Sequence, residues 1–193
     1  MARPRAFDLD LATERALAVF WRKGYEGTTL DDLTEAMGIN RPSLYAAFGN
    51  KEGAFFRALE RYVEGPAAGV TAALQAKTAR EVVRRILCFY ADAAGRTENP
   101  RGCLLVQGAL ACSDNSRSIR AALTEKRHFA EAALVERLER AKLEGDLSIE
   151  GQPADLARYV WTLCHGMAVQ ATGGATREQL RRVVQLAMRV WPK

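Results

Sequence analysis

The residues able to do bond-making chemistry are few and scattered. The four cysteines stand at 88, 103, 112 and 164, and the two histidines are His128 and His165. No close pair has the spacing of a metal-ligand set. Cys103 and Cys112 are nine residues apart, which at about 100° per residue turns them to opposite sides of a straight helix. Cys164 and His165 are adjacent, and a step of about 100° also separates them poorly for one ion. No metal is expected, and reduced thiols are the default. The chain has no Gly-rich phosphate loop, no His-Glu-x-x-His and no nucleophile elbow. Its carboxylates fall in helical charge patterns. The sequence therefore argues against an enzyme and calls for no cofactor.

A second group of residues suits contact with a charged polymer. Arg41, Ser43, Tyr45, Ala46 and Ala47 fall on or near one side of a short helix whose other side carries Leu44 and Phe48. Arginine, hydroxyl groups and short side chains are what a helix needs to approach base edges and phosphates closely. Such a helix must be held rigidly, and the residues before it supply a brace.

The elements that position this group can be read from periodicity and punctuation. A first helix is expected from Leu9 to Lys23, with Ala12, Ala16, Leu17 and Phe20 inward and Gly24 in a left-handed backbone at its end. Thr28 or Thr29 caps a second helix, helped by Asp31 and Asp32 at its positive end. Leu30, Leu33 and Met37 face inward, and Gly38 stops it. Asn40 caps a third helix with Pro42 in its first turn. Gly49-Asn50 ends that helix, and Lys51-Glu52 opens a fourth with Phe55, Leu59 and Tyr62 inward. Gly65-Pro66 divides a unit at 1–64 from one at 65–193.

Only helices are expected beyond this point. Thr78 with Glu81, and Thr176 with Gln179, read as capping boxes. A loop spans 96–101, and Cys103 to Cys112 is a short apolar helix. A long charged helix starts at Ser113 or Asp114, and Pro153 opens another. Apolar residues are 48% of the chain and charged residues 26%, ordinary for a globular protein. No run of about eighteen apolar residues and no signal peptide is seen, so a cytoplasmic protein with no membrane role is expected. The net charge is +5, but residues 1–63 hold nine Lys/Arg and nine Asp/Glu. Nucleic-acid affinity there must come from placed charges rather than bulk charge.

Gly24-Tyr25-Glu26-Gly27-Thr28-Thr29-Leu30, Leu33-Thr34-Glu35-Ala36-Met37-Gly38-Ile39, Ser43-Leu44-Tyr45, Phe48 and Lys51-Glu52 together resemble the signature of the TetR family of transcriptional regulators. The resemblance covers roughly the first 63 residues. Met37 and Asn40 depart slightly from the usual residue types. The resemblance implies an all-α fold: an N-terminal three-helix helix-turn-helix DNA-binding domain, with its motif at about 28–51, on a C-terminal helical effector-binding and dimerisation domain. The function implied is a sequence-specific transcriptional regulator, a repressor released from its operator by a small molecule. Position by position, the DNA-binding set is Arg3, Arg5, Thr28, Thr29, Arg41, Pro42, Ser43, Tyr45, Ala46, Asn50 and Lys51. Within it Thr29 and Lys51 match phosphate contacts, Arg41, Ser43 and Tyr45 match recognition-helix contacts, and Arg3 and Arg5 resemble a basic arm.

A palindromic double-stranded operator requires two copies of the motif, hence a homodimer. The last two helices are the expected interface, through Leu156, Val160, Leu163 and Met167 on one and Leu180, Val183, Val184, Ala187 and Val190 on the other. Phe89, Cys103, Leu104, Gln107, Trp161 and His165 mix apolar bulk with polar groups, as effector pockets do. The competing reading is a helical small-molecule-binding or metal/thiol-sensing protein whose DNA binding is secondary.

Overall fold

Helix-forming runs separated by capped breaks fold here as helices throughout. The computed structural model describes residues 7–110, 116–148 and 150–192. Arg3, Arg5, Cys112 and the proposed helix start at Ser113 or Asp114 lie outside the described residues. Among the described residues there are ten helices and no strand.

The first four are α1 (Leu9–Lys23), α2 (Leu30–Met37), α3 (Arg41–Phe48) and α4 (Lys51–Glu64). Each begins at a side-chain cap. The Asp8 carboxylate accepts from the backbone N–H groups of Asp10 at 2.9 Å and Leu11 at 3.2 Å. Thr29, Asn40 and Asn50 cap the next three. Gly24 has the positive φ expected of it, 69°, but its ψ of 173° gives an extended exit rather than a left-handed helical one. Phe20, Leu33, Leu44 and Phe55 are completely enclosed. Burying one such side chain contributes about 1.5–3 kcal/mol.

The remaining helices are α5 (Ala68–Leu74), α6 (Ala79–Ala93), α7 (Leu104–Leu110), α8 (Arg117–Leu143), α9 (Pro153–Thr172) and α10 (Arg177–Val190). Helix α5 was not anticipated; its Ala-rich run carries no side-chain cap to announce it. Cys103 precedes α7 instead of starting it. The Thr78 hydroxyl caps α6 by accepting from the Glu81 N–H at 3.2 Å. The reciprocal half of the expected box is not formed, because the Glu81 carboxylate is taken by Arg84 and Arg85, both at 2.7 Å. At α10 both halves form: Thr176 N–H donates to Gln179 Oε1 at 2.8 Å, and Gln179 N–H to Thr176 Oγ1 at 3.2 Å.

Two apolar clusters hold the chain. One packs α5, α6, α9, α10 and the second half of α8. The other packs α1–α4, and it continues through Cys103, Leu104, Leu105 and Val106 to Ile119 and Leu123 of α8. Helix α7 and the head of α8 are therefore built into the core of the first four helices. No helix among the described residues is long and apolar enough to cross a membrane.

Candidate nucleic-acid interface and ligand cavity

Helix α2 is fixed at both ends. At its start the Thr29 hydroxyl accepts from the Asp32 N–H at 3.1 Å, and the Asp32 carboxylate accepts from the Thr29 N–H at 2.9 Å. The Lys23 ammonium also reaches Asp32, at 2.6 Å. Hydrogen bonds from Lys23 and Thr29 lower the Asp32 pKa to about 2. At its end Gly38 adopts a left-handed conformation, φ 69° and ψ 35°, which a side chain would strain. The Gly38 and Ile39 N–H groups close the last turn onto Glu35 and Thr34. Arg15 of α1 donates to the Met37 carbonyl at 3.3 Å. Upstream, a Cβ on Gly27 would lie 2.5 Å from the Lys23 carbonyl oxygen, so only glycine fits that approach.

This brace presents α3 with one face sealed and the other open. Leu44 and Phe48 are buried, while Arg41, Pro42, Tyr45 and Ala46 are exposed. Ser43 is half-buried at the helix start, where its N–H donates to Asn40 Oδ1 at 2.9 Å. Ala47, expected near the outer side, packs instead against the core. Thr28 requires a correction. It is 1% exposed, and its hydroxyl donates to the Gly24 carbonyl at 2.6 Å. That side chain closes the turn after α1 and is not available to DNA. Asn50 is exposed, but its Oδ1 accepts from the Gly53 N–H at 2.7 Å, so its first role is to cap α4.

Two cations flank the open face. Arg41 donates to one carboxylate oxygen of Asp31 through Nη2 at 2.8 Å and Nε at 3.2 Å, and this pairing raises its pKa. Lys51 lies 4.4 Å above the Tyr25 ring centroid. Partial burial lowers its pKa, against the opposing fields of Glu26 and Asp32.

A cavity of about 280 Å³ lies where the two apolar clusters meet. Trp21 of α1 and Tyr62 of α4 form part of its wall, together with Phe89, Tyr90, Cys103, Trp161 and His165. Four of the six expected pocket residues are thus brought together. Leu104 and Gln107 are not: Leu104 is sealed in the cluster around α1–α4, and Gln107 packs under Gly102. The wall residues missed from sequence include Trp21, Tyr62, Arg96, Lys126, Arg127 and Phe129. Trp21 and Tyr62 follow the inward stripes of α1 and α4, which read simply as core. The Tyr62 hydroxyl donates to Cys103 Sγ at 3.2 Å, and burial pushes the Tyr62 pKa up. Burial lowers the His165 pKa, reinforced by the Arg127 charge and opposed by that of Glu131. Among the described residues no three His, Cys, Asp or Glu side chains gather as a metal site.

The expected dimer stripes also need correcting. Val160, Met167, Leu180, Val184 and Ala187 are buried inside the monomer, because the strongest apolar stripe of each helix packs against α6. Leu156, Leu163 and Val183 are half-buried. The apolar side chains left outside are Tyr159 and Val169 on α9, with Leu186 at 61% exposed and Val190 at 72% exposed on α10. Gly166 lies between the first two, with open space over it.

Comparison with known proteins adds three findings. Residues 12–58 match the family model described as bacterial regulatory proteins, tetR family, and residues 79–189 match the tetracyclin repressor-like C-terminal domain. The HTH-type transcriptional repressor ComR of Escherichia coli is 32% identical over 193 residues, spanning 99% of this chain and 92% of ComR. The HTH-type transcriptional regulator YezE of Bacillus subtilis is 34% identical over 164 residues, spanning 83% of this chain and 84% of YezE. Among solved structures, a cysteine mutant of the TetR family transcriptional regulator CifR, complexed with 26-bp double-strand operator DNA, superposes with a TM-score of 0.94 at 43% identity. The match covers 98% of this chain and 100% of that one.

Proposed function

The chain belongs to the TetR family of bacterial regulatory proteins and is a DNA-binding transcription regulator, and on that premise we propose that it is a homodimeric repressor which a small molecule removes from its operator. Residues 1–64 act as the DNA-binding domain and 65–193 as the effector-binding and dimerisation domain. The exposed edge of α3, with Arg41, Pro42, Ser43, Tyr45 and Ala46, enters the major groove. Thr29, Asn50 and Lys51, at the starts of α2 and α4, bind phosphate. Arg3 and Arg5 reach the duplex as an arm. The protein acts in the cytoplasm as a regulator rather than an enzyme.

One observation carries the release step: the cavity takes its wall from both halves of the chain, Trp21 and Tyr62 on one side and Phe89 and Trp161 on the other. A ligand that fills it favours one arrangement of the halves over another, which is the requirement for release. The two copies join through Tyr159, Leu163, Gly166 and Val169 of α9 and Val183, Leu186 and Val190 of α10, forming a four-helix contact.

Selection of bound duplexes from random DNA tests this reading. The enriched pool should contain inverted half-sites, bound at least about a thousandfold more tightly than random sequence. A pool enriched in no sequence would refute it.

A further inference from the structure

The charge balance of the cavity wall is one-sided. Arg96, Lys126 and Arg127 all line it, and among the described residues no Asp or Glu does. Each is half-buried. Arg127 donates to two neutral oxygens, the Leu105 carbonyl at 2.7 Å and the Thr124 hydroxyl at 3.0 Å. Arg96 lies over the Phe89 ring, 5.0 Å from its centroid. Among the described residues none of the three cations has a carboxylate within ion-pair distance.

Three like charges around a confined apolar space repel one another, and a ligand that supplied one negative charge would relieve that repulsion. Apart from Thr71, Asn99, Cys103 and His165, the rest of the wall is aromatic and aliphatic, and the volume is equivalent to about nine waters at about 30 Å³ each.

We propose that the effector of this cavity is a small monoanionic amphipathic acid, its carboxylate held by Arg96, Lys126 and Arg127 and its ring or short chain packed on Trp161 and Phe89. Selectivity then comes from charge: a cationic analogue of the same shape meets three like charges, and a neutral one leaves them unpaired. This rests on the cavity being the effector site.

The test is calorimetric titration of the full-length protein at pH 7.5 with phenylacetate and indoleacetate, their amides, and the amines phenethylamine and tryptamine. At least one acid should bind about tenfold or more tighter than its amide, and neither amine should bind. Lys126→Gln and Arg96→Gln should each weaken the acid about fivefold and leave the amide unchanged. Ala133→Trp, which places an indole in the cavity, should abolish binding of acid and amide alike. If amides or amines bind as well as the acids and Ala133→Trp removes them, the anionic class is overturned while the cavity stands as the ligand site. If none of the six compounds binds, or binding survives Ala133→Trp, both readings are overturned.

Discussion

The guanidinium of Arg41 rests on the carboxylate of Asp31, ten positions earlier, with two nitrogens 2.8 Å and 3.2 Å from a single oxygen. The first residue of the recognition helix is thereby tied to the first turn of its brace. Both side chains are exposed, so the pair adds little to stability. In the proposed docking on DNA its effect is on availability, because there Arg41 must leave Asp31 before it reaches a phosphate or a guanine edge. Arg41→Ala should weaken operator binding by roughly 1–3 kcal/mol. Asp31→Ala should strengthen binding and raise the salt slope, since it frees a cation and removes a negative charge from the interface. The double variant should match Arg41→Ala more closely than the sum of the singles. Gel-shift titrations at several salt concentrations give all three values, and an Asp31→Ala protein that binds more weakly would exclude this role.

Lys51 is held differently, over the Tyr25 ring, and among the described residues no carboxylate lies within ion-pair distance of its ammonium. Such a cation gives up little when it moves to phosphate. Lys51→Ala should reduce affinity for specific and random DNA by the same factor, and lower the salt slope by about 0.9 for one lost phosphate contact. A loss confined to the specific sequence would show that Lys51 reads bases instead.

The start of α2 sets an acid limit on the motif. The Asp32 carboxyl titrates at about 2 in the folded protein, below its unfolded value near 3.9. A group whose pKa is depressed by folding stabilises the fold above its unfolded pKa and loses that contribution as pH falls through the folded one. Stability should therefore drop between about pH 4 and pH 2 in the wild type. Asp32→Asn should flatten that part of the curve and leave the neutral plateau lower. Thr29→Ala, which removes the cap, should cost about 1 kcal/mol at neutral pH. Urea denaturation of each variant across pH 2–7 measures both effects; identical pH slopes for wild type and Asp32→Asn would dismiss the Asp32 assignment.

What could be read in advance divides along a physical line. Caps and breaks are local, and Asn40, Thr176 and Gly38 announce themselves through their own side chains or the lack of one. The helix-turn-helix was legible because nearly all its determinants lie within two dozen residues. Long-range placement was not. Val160 and Val184 form clean apolar stripes, but periodicity cannot say whether a stripe meets α6 or a second copy. Thr28 and Thr29 are equally good caps on paper, and only the path out of Gly24 decides that one is buried. The cavity drew Tyr62 from a stripe that was read as inward-facing and Trp21 from beside one, with nothing local to mark where inward ends at a space.

The corrected outer face of α9 and α10 gives a prediction that separates assembly from folding. Leu186→Glu places a charge on a side chain already 61% exposed, so helix content and thermal midpoint of the dissociated chain should change little. The dimer should dissociate at micromolar concentration, and operator affinity should fall with it, since one motif cannot span both half-sites. Val184→Glu, on the buried stripe of the same helix, should unfold the C-terminal half by stranding a charge in the core. Sedimentation and circular dichroism distinguish the two. A Leu186→Glu protein that remains a dimer would move the interface elsewhere.

The Ser116 hydroxyl, just ahead of α8, donates to the Glu26 carboxylate at 2.5 Å. Further along α8 lie Lys126, Arg127 and Phe129 of the cavity wall, while Glu26 sits between Tyr25, which carries Lys51, and the α2 cap at Thr29. In the proposed mechanism this bond links the helix that lines the cavity to the end of the motif assigned to phosphate, running beside the shared apolar packing of α7. Ser116→Ala should leave the affinity of the empty protein for DNA within about twofold, and that of the DNA-free protein for ligand likewise. The factor by which ligand weakens DNA binding should shrink severalfold. Coupling between two sites is reciprocal, so the factor by which operator DNA weakens ligand binding must shrink equally. Measuring ligand affinity with and without operator duplex, and operator affinity with and without ligand, closes that cycle. An unchanged coupling factor in Ser116→Ala would assign transmission to the α7 packing alone.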